Sequence, residues 1–449
     1  MKRSLLLLTS IASSQAFLAR DAVHHRVVFQ ASTLEEYQQT SVFAPSANMF
    51  IPEQQNQQRN NPLREFWAPV GAAALTITSN TVGAGCLVMP ELAAGPGLAT
   101  TATIFGAAYI VNLVSGLILA QVSITQKEQY QQEHASFQEL ATANLGPLAA
   151  QGISTVSILT NGCLQAFGAT RAGLLAHDVL NVPAPLATVA WAAFMITTVG
   201  TLSKQNLSAA ASICAAGLFC SFGGLILPGL QAVNDPIATW FAPGVATDWT
   251  ASVAHAAPVM LMSMVYQNIV PTMTQVLGYD RTKTTTAIVL GSAIPLVMYL
   301  AWCYACLGGG MDATGPLLTM FSLVTLAGSG LGSSMSLAQE VRNFVQPQEQ
   351  QTVTNTANQS FGLPSAAVAI SVPVAVGLAM GGSDAVTDAL SMAGAFGTPL
   401  LYGAIPVAMA WAQRRQATQP LVPSATLPCL GAMSLGFMGQ EVLARLPAM

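Results

Sequence analysis

Charge is what this sequence has least of. Asp, Glu, Lys and Arg make up 8% of its 449 residues, against about a quarter in ordinary soluble domains, and a water-facing surface cannot be built from so few. The basic residues form no cluster and the net charge is only -4, which excludes a nucleic-acid footprint. Histidine is scarce, with five in the chain. None belongs to an HExxH pattern or pairs with an Asp inside an apolar run, His255 lies only near the start of an apolar segment, and GxSxG is missing as well. No enzyme, metal site or cofactor is expected. Seven cysteines lie in or beside apolar runs, without the paired spacing plus histidines that zinc requires. The one CxxC pair, Cys303 and Cys306, reads as two small side chains packed in a bundle.

What the chain has in quantity is apolar sequence, 52% of all residues. A membrane-spanning helix needs about 20 mostly apolar residues. Eleven segments qualify: 68–93, 97–122, 147–176, 184–201, 206–230, 252–276, 284–307, 315–342, 364–381, 385–411 and 422–443. The expected fold is therefore an all-α polytopic membrane protein of eleven transmembrane helices, with the lipid bilayer as its surroundings. Lys and Arg concentrate on the cytoplasm-equivalent side of a membrane. With eleven spans, Arg59, Arg64, Lys127, Lys204, Arg281, Lys283, Arg342, Arg414 and Arg415 all fall on one side. The opposite loops hold His177, Asp178, Asp235, Asp248, Asp312 and Asp384, and Arg445 is their single basic residue.

The first 66 residues read as address and tether. Residues 1–16, with Lys2 and Arg3 before an apolar core and small residues at Ala12, Ser14 and Ala16, have the layout of a signal peptide and are not a span. Phe17 then opens a basic, hydroxyl-rich stretch to residue 34 that resembles the two-part targeting sequences of algae with complex plastids. An ordinary secretory signal is the alternative, which would place the chain in another endomembrane or the plasma membrane. Residues 35–66, rich in Gln, Asn, Ser and Pro, form an expected disordered tether. The transmembrane domain is expected over 67–443, with a short tail at 444–449.

Two spans contain helix breaks. Irregular backbone survives in hydrocarbon only where it lines a cavity or is buried in protein. In span 1, Ser79, Asn80 and Thr81 precede Gly83 and Gly85, and Pro90 follows. The glycines suit unwound backbone approaching a ligand, or simply two helices packing closely. In span 6, Tyr266, Gln267 and Asn268 interrupt an apolar run just before Pro271. Breaks at corresponding positions of two halves point to a transporter site, and an arrangement of 5+5 inverted repeats plus one extra helix follows from their spacing.

At TVGAGCLVMP (81–90) and MVYQNIVPTMTQVLGYDRTKTTTAIVLGSAIPLVMYLAW (264–302) the sequence resembles the hydroxy/aromatic amino acid permeases, the tyrosine- and tryptophan-specific members of the amino acid–polyamine–organocation superfamily. The resemblance implies the leucine-transporter-like inverted-repeat fold and proton-coupled symport of an aromatic amino acid, with sodium the alternative coupling ion. An uncoupled facilitator or sensor of the same fold is the rival. Bacterial members usually carry His where this chain has Gln267, and an amide cannot titrate. Plastid relatives resemble the VYQN form. The substrate-binding residues implied are Asn80, Thr81, Gly83, Ala84 and Gly85 in span 1, with the N–H groups after the break holding a carboxylate, and Tyr266, Gln267 and Asn268 in span 6. Asn161 and Gln165 in span 3, and Ser333 and Ser336 in span 8, are added for the substrate side chain; cross-helix bonding or packing are their bland alternatives. Glu91 and Arg171 are gating or coupling candidates, or a solvated end charge and a snorkelling one. Glu340 and Arg342 are expected at the membrane interface. The partner is a small-molecule amino acid, with no obligate protein partner evident.

Overall fold

A computed structural model describes residues 62–132, 137–310, 316–345, 360–380, 383–414, 420–423 and 425–445. The signal, the transit-like stretch and the tether as far as residue 61 lie outside the described residues, as do residues 446–449 of the tail. All regular structure among the described residues is helical. The last residues of the expected tether, 62–66, open the first helix instead. Pro62 begins α1 (Pro62–Thr81), where its missing N–H costs nothing, and Glu65 complements the positive end of the helix dipole.

A 3-10 turn, Ala84–Val88, and α2 (Met89–Ala94) follow α1, and the helix axis turns by 56° across the break. Next come α3 (Leu98–Tyr130), the short α4 (Phe137–Leu145), α5 (Pro147–Leu180), α6 (Ala184–Thr201), α7 (Lys204–Gln231) and the six-residue α8 (Pro236–Phe241). The second half holds α9 (Trp249–Ser263), a 3-10 turn at Gln267–Ile269, α10 (Val270–Val276), α11 (Arg281–Gly309), α12 (Pro316–Val345) and α13 (Leu363–Ala379). Finally α14 (Ser383–Met392) runs through π-helical turns at Ala393–Gly397 and Leu400–Ala404 into α15 (Ile405–Ala412), and α16 is Thr426–Arg445. Among the described residues, seven helices are long and apolar enough to cross a membrane, with α9–α10 and α14–α15 each taken as one, and the bent α1–α2 pair makes an eighth.

Helix ends are fixed by residues that look like stray loop charges in the sequence. Asp235 accepts hydrogen bonds from the N–H groups of Ile237 and Ala238, Asp248 from that of Ala251, and Asp280 from that of Lys283. Each is an N-cap satisfying donors that the first helical turn leaves free.

Two basic residues lie where the end of α3 meets the start of α11. The Arg281 guanidinium meets Glu128 at 2.7 Å, which ties α11 to the end of α3, and Lys127 lies 6.0 Å from the centre of the Tyr279 ring. Elsewhere, the α2–α3 turn pairs with the loop after α8: Val245 N–H donates to Ala94 O at 3.0 Å and Ala246 N–H to Gly95 O at 3.3 Å. Inside, α1 lies along α11, and α12 packs on α5 and α7. The α1–α11 approach depends on Gly291, where a Cβ would stand 2.7 Å from that of Ile77 and 2.8 Å from Ala74 O.

Candidate functional site

The first break begins where α1 runs out of polar side chains that serve its own backbone. Thr81 returns its hydroxyl to Ile77 O at 2.8 Å, and Val82 N–H makes a last helical bond to Thr78 O at 2.9 Å. The 3-10 turn then starts with Cys86 N–H on Gly83 O at 2.9 Å, so the N–H groups of Gly83, Ala84 and Gly85 precede its first internal bond. Both glycines are needed for closeness. A Cβ on Gly83 would come within 3.1 Å of the Ser329 Cβ on α12, and one on Gly85 within 2.6 Å of the Ser263 hydroxyl on α9.

The second break is braced by α3. Asn112 accepts from the Gln267 amide on its side-chain oxygen at 2.6 Å, and its carbonyl accepts from the Tyr266 hydroxyl at 3.1 Å. Gln267 turns its own Oε1 back onto Tyr266 N–H at 2.9 Å. Gly116 makes room for the tyrosine, since a Cβ there would lie 2.6 Å from the phenol oxygen. Tyr266 and Gln267 are wholly buried by these contacts.

Two contacts join the breaks to each other. Asn80 Nδ2 donates to Asn268 Oδ1 at 3.1 Å. The Tyr299 hydroxyl on α11 lies 3.0 Å from Thr81 O and 3.2 Å from Ser263 O, one carbonyl at each break, and its ring stacks on Phe105 at 5.3 Å.

A cavity of about 110 Å³ opens between them. Its polar wall comes from the breaks, through Asn80, Gly83, Gly85 and Asn268, with Asn161 of α5 and Ser333 of α12. Its apolar wall is formed by Leu164, Gly168, Val259, Met262 and Leu390, with the rings of Tyr299 and Tyr402. Such a site, mostly apolar with a few convergent polar groups, is what a small amphiphilic ligand requires.

Of the residues singled out in the sequence, Asn80, Thr81, Gly83, Gly85, Asn161, Asn268 and Ser333 meet in this wall. Ala84 lies between them as the first residue of the 3-10 turn. Tyr266 and Gln267 lie outside the wall and serve the α3 contact. Gln165 is buried behind it, where its Oε1 accepts from the Ser333 hydroxyl at 2.7 Å and joins α5 to α12. Ser336, Glu91 and Arg171 are also outside the wall; Glu91 is exposed, and the Arg171 guanidinium sits 5.3 Å from the Phe167 ring centre. Glu340 turns its carboxylate onto α5, where Ser157 Oγ donates to it at 3.2 Å. Tyr299, Tyr402, Ser263 and Ser329 were missed because an aromatic or a serine within an apolar run reads as packing. The π-helical turns around Pro399 carry a faint signal: a proline inside a span removes a backbone donor, and here the widened turns bring Thr398 and Tyr402 to the cavity.

Residues 69–314 match the tryptophan/tyrosine permease family. "Tyrosine-specific transport system 2" of Haemophilus influenzae is 29% identical over 239 residues, a stretch covering 51% of this chain and 56% of that protein. Among solved structures, a manganese transporter of Eremococcus coleocola in complex with an aromatic bis-isothiourea compound aligns at a TM-score of 0.48 and 12% identity, over 91% of this chain and 92% of that one. A point mutant of the same transporter aligns at 0.47 and 13%, over 88% and 96%.

Proposed function

Because the chain belongs to the tryptophan/tyrosine permease family, we propose that it is a secondary active transporter that carries an aromatic, tyrosine-like amino acid across a membrane by alternating access, in symport with protons. Membership of a permease family also answers the question of enzymatic activity in the negative. The observation that carries the reading is the cavity walled by both helix breaks. Its lining combines polar groups and unwound backbone from the breaks with apolar and aromatic side chains. An amino acid zwitterion with an aromatic side chain presents the same two kinds of surface.

In this reading the α-carboxylate takes the N–H groups of the Gly83–Gly85 stretch, at the positive end of the turn that follows. Asn80 and Asn268 hold the α-ammonium with their amide oxygens and neighbouring backbone carbonyls. The aromatic side chain lies along Leu164, Gly168 and Met262. Gln165 and Tyr266 act indirectly by holding Ser333 and the second break in place, and Glu91 and Arg171 act near the outer end of the pathway. The eleven apolar segments cross the bilayer as two inverted five-helix repeats with α16 as the extra helix, so that α1–α2 and α9–α10 are equivalent. The basic end faces the stroma of a plastid whose envelope the protein occupies. A fluorescent protein fused after residues 1–66 should then label plastids, and a secretory pattern would contradict the address.

Transport is tested with purified protein in liposomes. An inward proton gradient should drive labelled tyrosine, tryptophan or phenylalanine above its equilibrium level. Uptake no greater than in empty vesicles would sink the transport reading, and uptake that only equilibrates would leave an uncoupled facilitator.

A further inference from the structure

The Gln267 amide cannot titrate, is tied to Asn112 and lies outside the cavity lining, so a titrating group for symport has to be sought elsewhere. One carboxylate fits. Glu340 lies near the end of α12, five residues before Val345, and points at α5. Its Oε1 accepts from the Ser157 hydroxyl at 3.2 Å, while Oε2 is buried and has no hydrogen-bond partner among the described residues. Ser154, one turn earlier on α5, sets a buried hydroxyl beside the same carboxylate but outside good hydrogen-bonding geometry. A carboxylate with one oxygen buried and unanswered is costly when ionised and comfortable when neutral.

The same hydroxyl connects it to the cavity. Asn161, which lines the wall, donates its amide N–H to Ser157 O at 2.9 Å and to Ser157 Oγ at 3.3 Å. The chain Asn161–Ser157–Glu340 therefore has one sense. With Glu340 ionised, Ser157 must donate to it, and Asn161 must spend its N–H groups on Ser157 and offer the cavity an acceptor. When one proton adds to the carboxylate, the acid O–H donates to Ser157 Oγ. The acid then competes with Asn161 for that oxygen, so the amide keeps its bond to Ser157 O and turns its second N–H to the cavity. Among neighbouring groups, the Tyr402 phenol is within electrostatic reach of the carboxylate. Arg342 follows it on α12, α6 and α13 carry no titratable residue, and Arg64, Glu65 and Lys204 stand at the starts of α1 and α7.

We propose that Glu340 is the proton-binding residue of the transport cycle, and that Ser157 and Asn161 pass its protonation state to the substrate cavity. The proton is taken up with Glu340 turned to one side of the membrane and released from the same oxygen on the other, so no bond other than O–H forms or breaks. This rests on the proton-coupled reading above. Two sites linked in this way must affect one another equally.

The test uses the full chain in liposomes enclosing a pH-sensitive dye, with tyrosine as the probe. Wild type should acidify the lumen when tyrosine is added outside, and should bind tyrosine about tenfold more tightly at the acidic end of its range. Glu340→Gln, which mimics the neutral acid, should lose the acidification and the pH dependence while keeping tyrosine counterflow. Wild-type acidification that persists in E340Q would overturn the assignment and leave symport standing. A wild type that never acidifies would overturn both. Should E340Q fail to fold, Ser157→Ala decides, because it keeps the carboxylate and cuts the chain: pH-independent tyrosine affinity supports the relay, and wild-type pH dependence refutes it.

Discussion

Single polar atoms at the breaks do more than their side-chain types suggest. Tyr299→Phe keeps the ring stacked on Phe105 and removes only the hydroxyl that reaches Thr81 O and Ser263 O. Leaving buried carbonyls without a donor costs about 1–3 kcal/mol. The variant should melt several degrees lower and transport markedly more slowly. Tyr304→Phe is the control, because its one bond, to Pro236 O at 3.5 Å, is long and exposed, and melting should hardly change. Gln267→Leu should likewise lower stability by about 2 kcal/mol through the unpaired Asn112, yet leave the order of preferred substrates unchanged in a competition assay. A changed order would place Gln267 at the substrate after all.

Helix by helix, much was legible in advance, and the failures have a common cause. The breaks were visible because Gly83, Gly85, Pro90 and Pro271 are poor continuations of a helix. Which polar residue faces the cavity was not visible. A 3-10 turn rotates about 120° per residue, so Gln267 and Asn268 point in different directions, and of Tyr266, Gln267 and Asn268 only Asn268 lines the cavity. Gln165 follows Asn161 by a little more than one helical turn, and that excess rotates it from the cavity towards Ser333. Glycine on α3 gives a test at this scale. A Cβ at Gly106 meets nothing within 4 Å, whereas one at Gly116 strikes Tyr266. Gly106→Ala should stabilise α3 by about 0.5–1 kcal/mol, and Gly116→Ala should destabilise by about 1–3 kcal/mol through overpacking. Thermal melts in detergent would show the opposite signs.

For the whole molecule, the segregation of basic residues in the sequence has a structural counterpart in the Arg281–Glu128 pair and the Lys127–Tyr279 contact, which bring the end of α3 and the start of α11 together. Sidedness can be measured directly. In a background lacking the seven native cysteines, Lys127→Cys and Lys283→Cys should react with an impermeant thiol reagent from one face of sealed vesicles, and Asp235→Cys from the other. Reaction of all three from one face would break the proposed topology. The Arg281–Glu128 pair itself is partly exposed and should contribute under about 1 kcal/mol, so Arg281→Ala is expected to alter orientation more than stability. What could not be read at this scale was the long-range pairing of α12 with α5, on which the Ser333–Gln165 and Ser157–Glu340 contacts both depend. Those partners are separated by 168 and 183 residues, and nothing local to either one specifies the other.

The Tyr299 hydroxyl has one proton and two carbonyls to serve. When both half-helices are close, the proton is shared; when either tilts away, the other keeps it at full strength. In the alternating-access cycle proposed above, Tyr299 would act as a toggle: opening towards either face would break a half-share of one bond, never a whole one, and the two swings would be similar in cost.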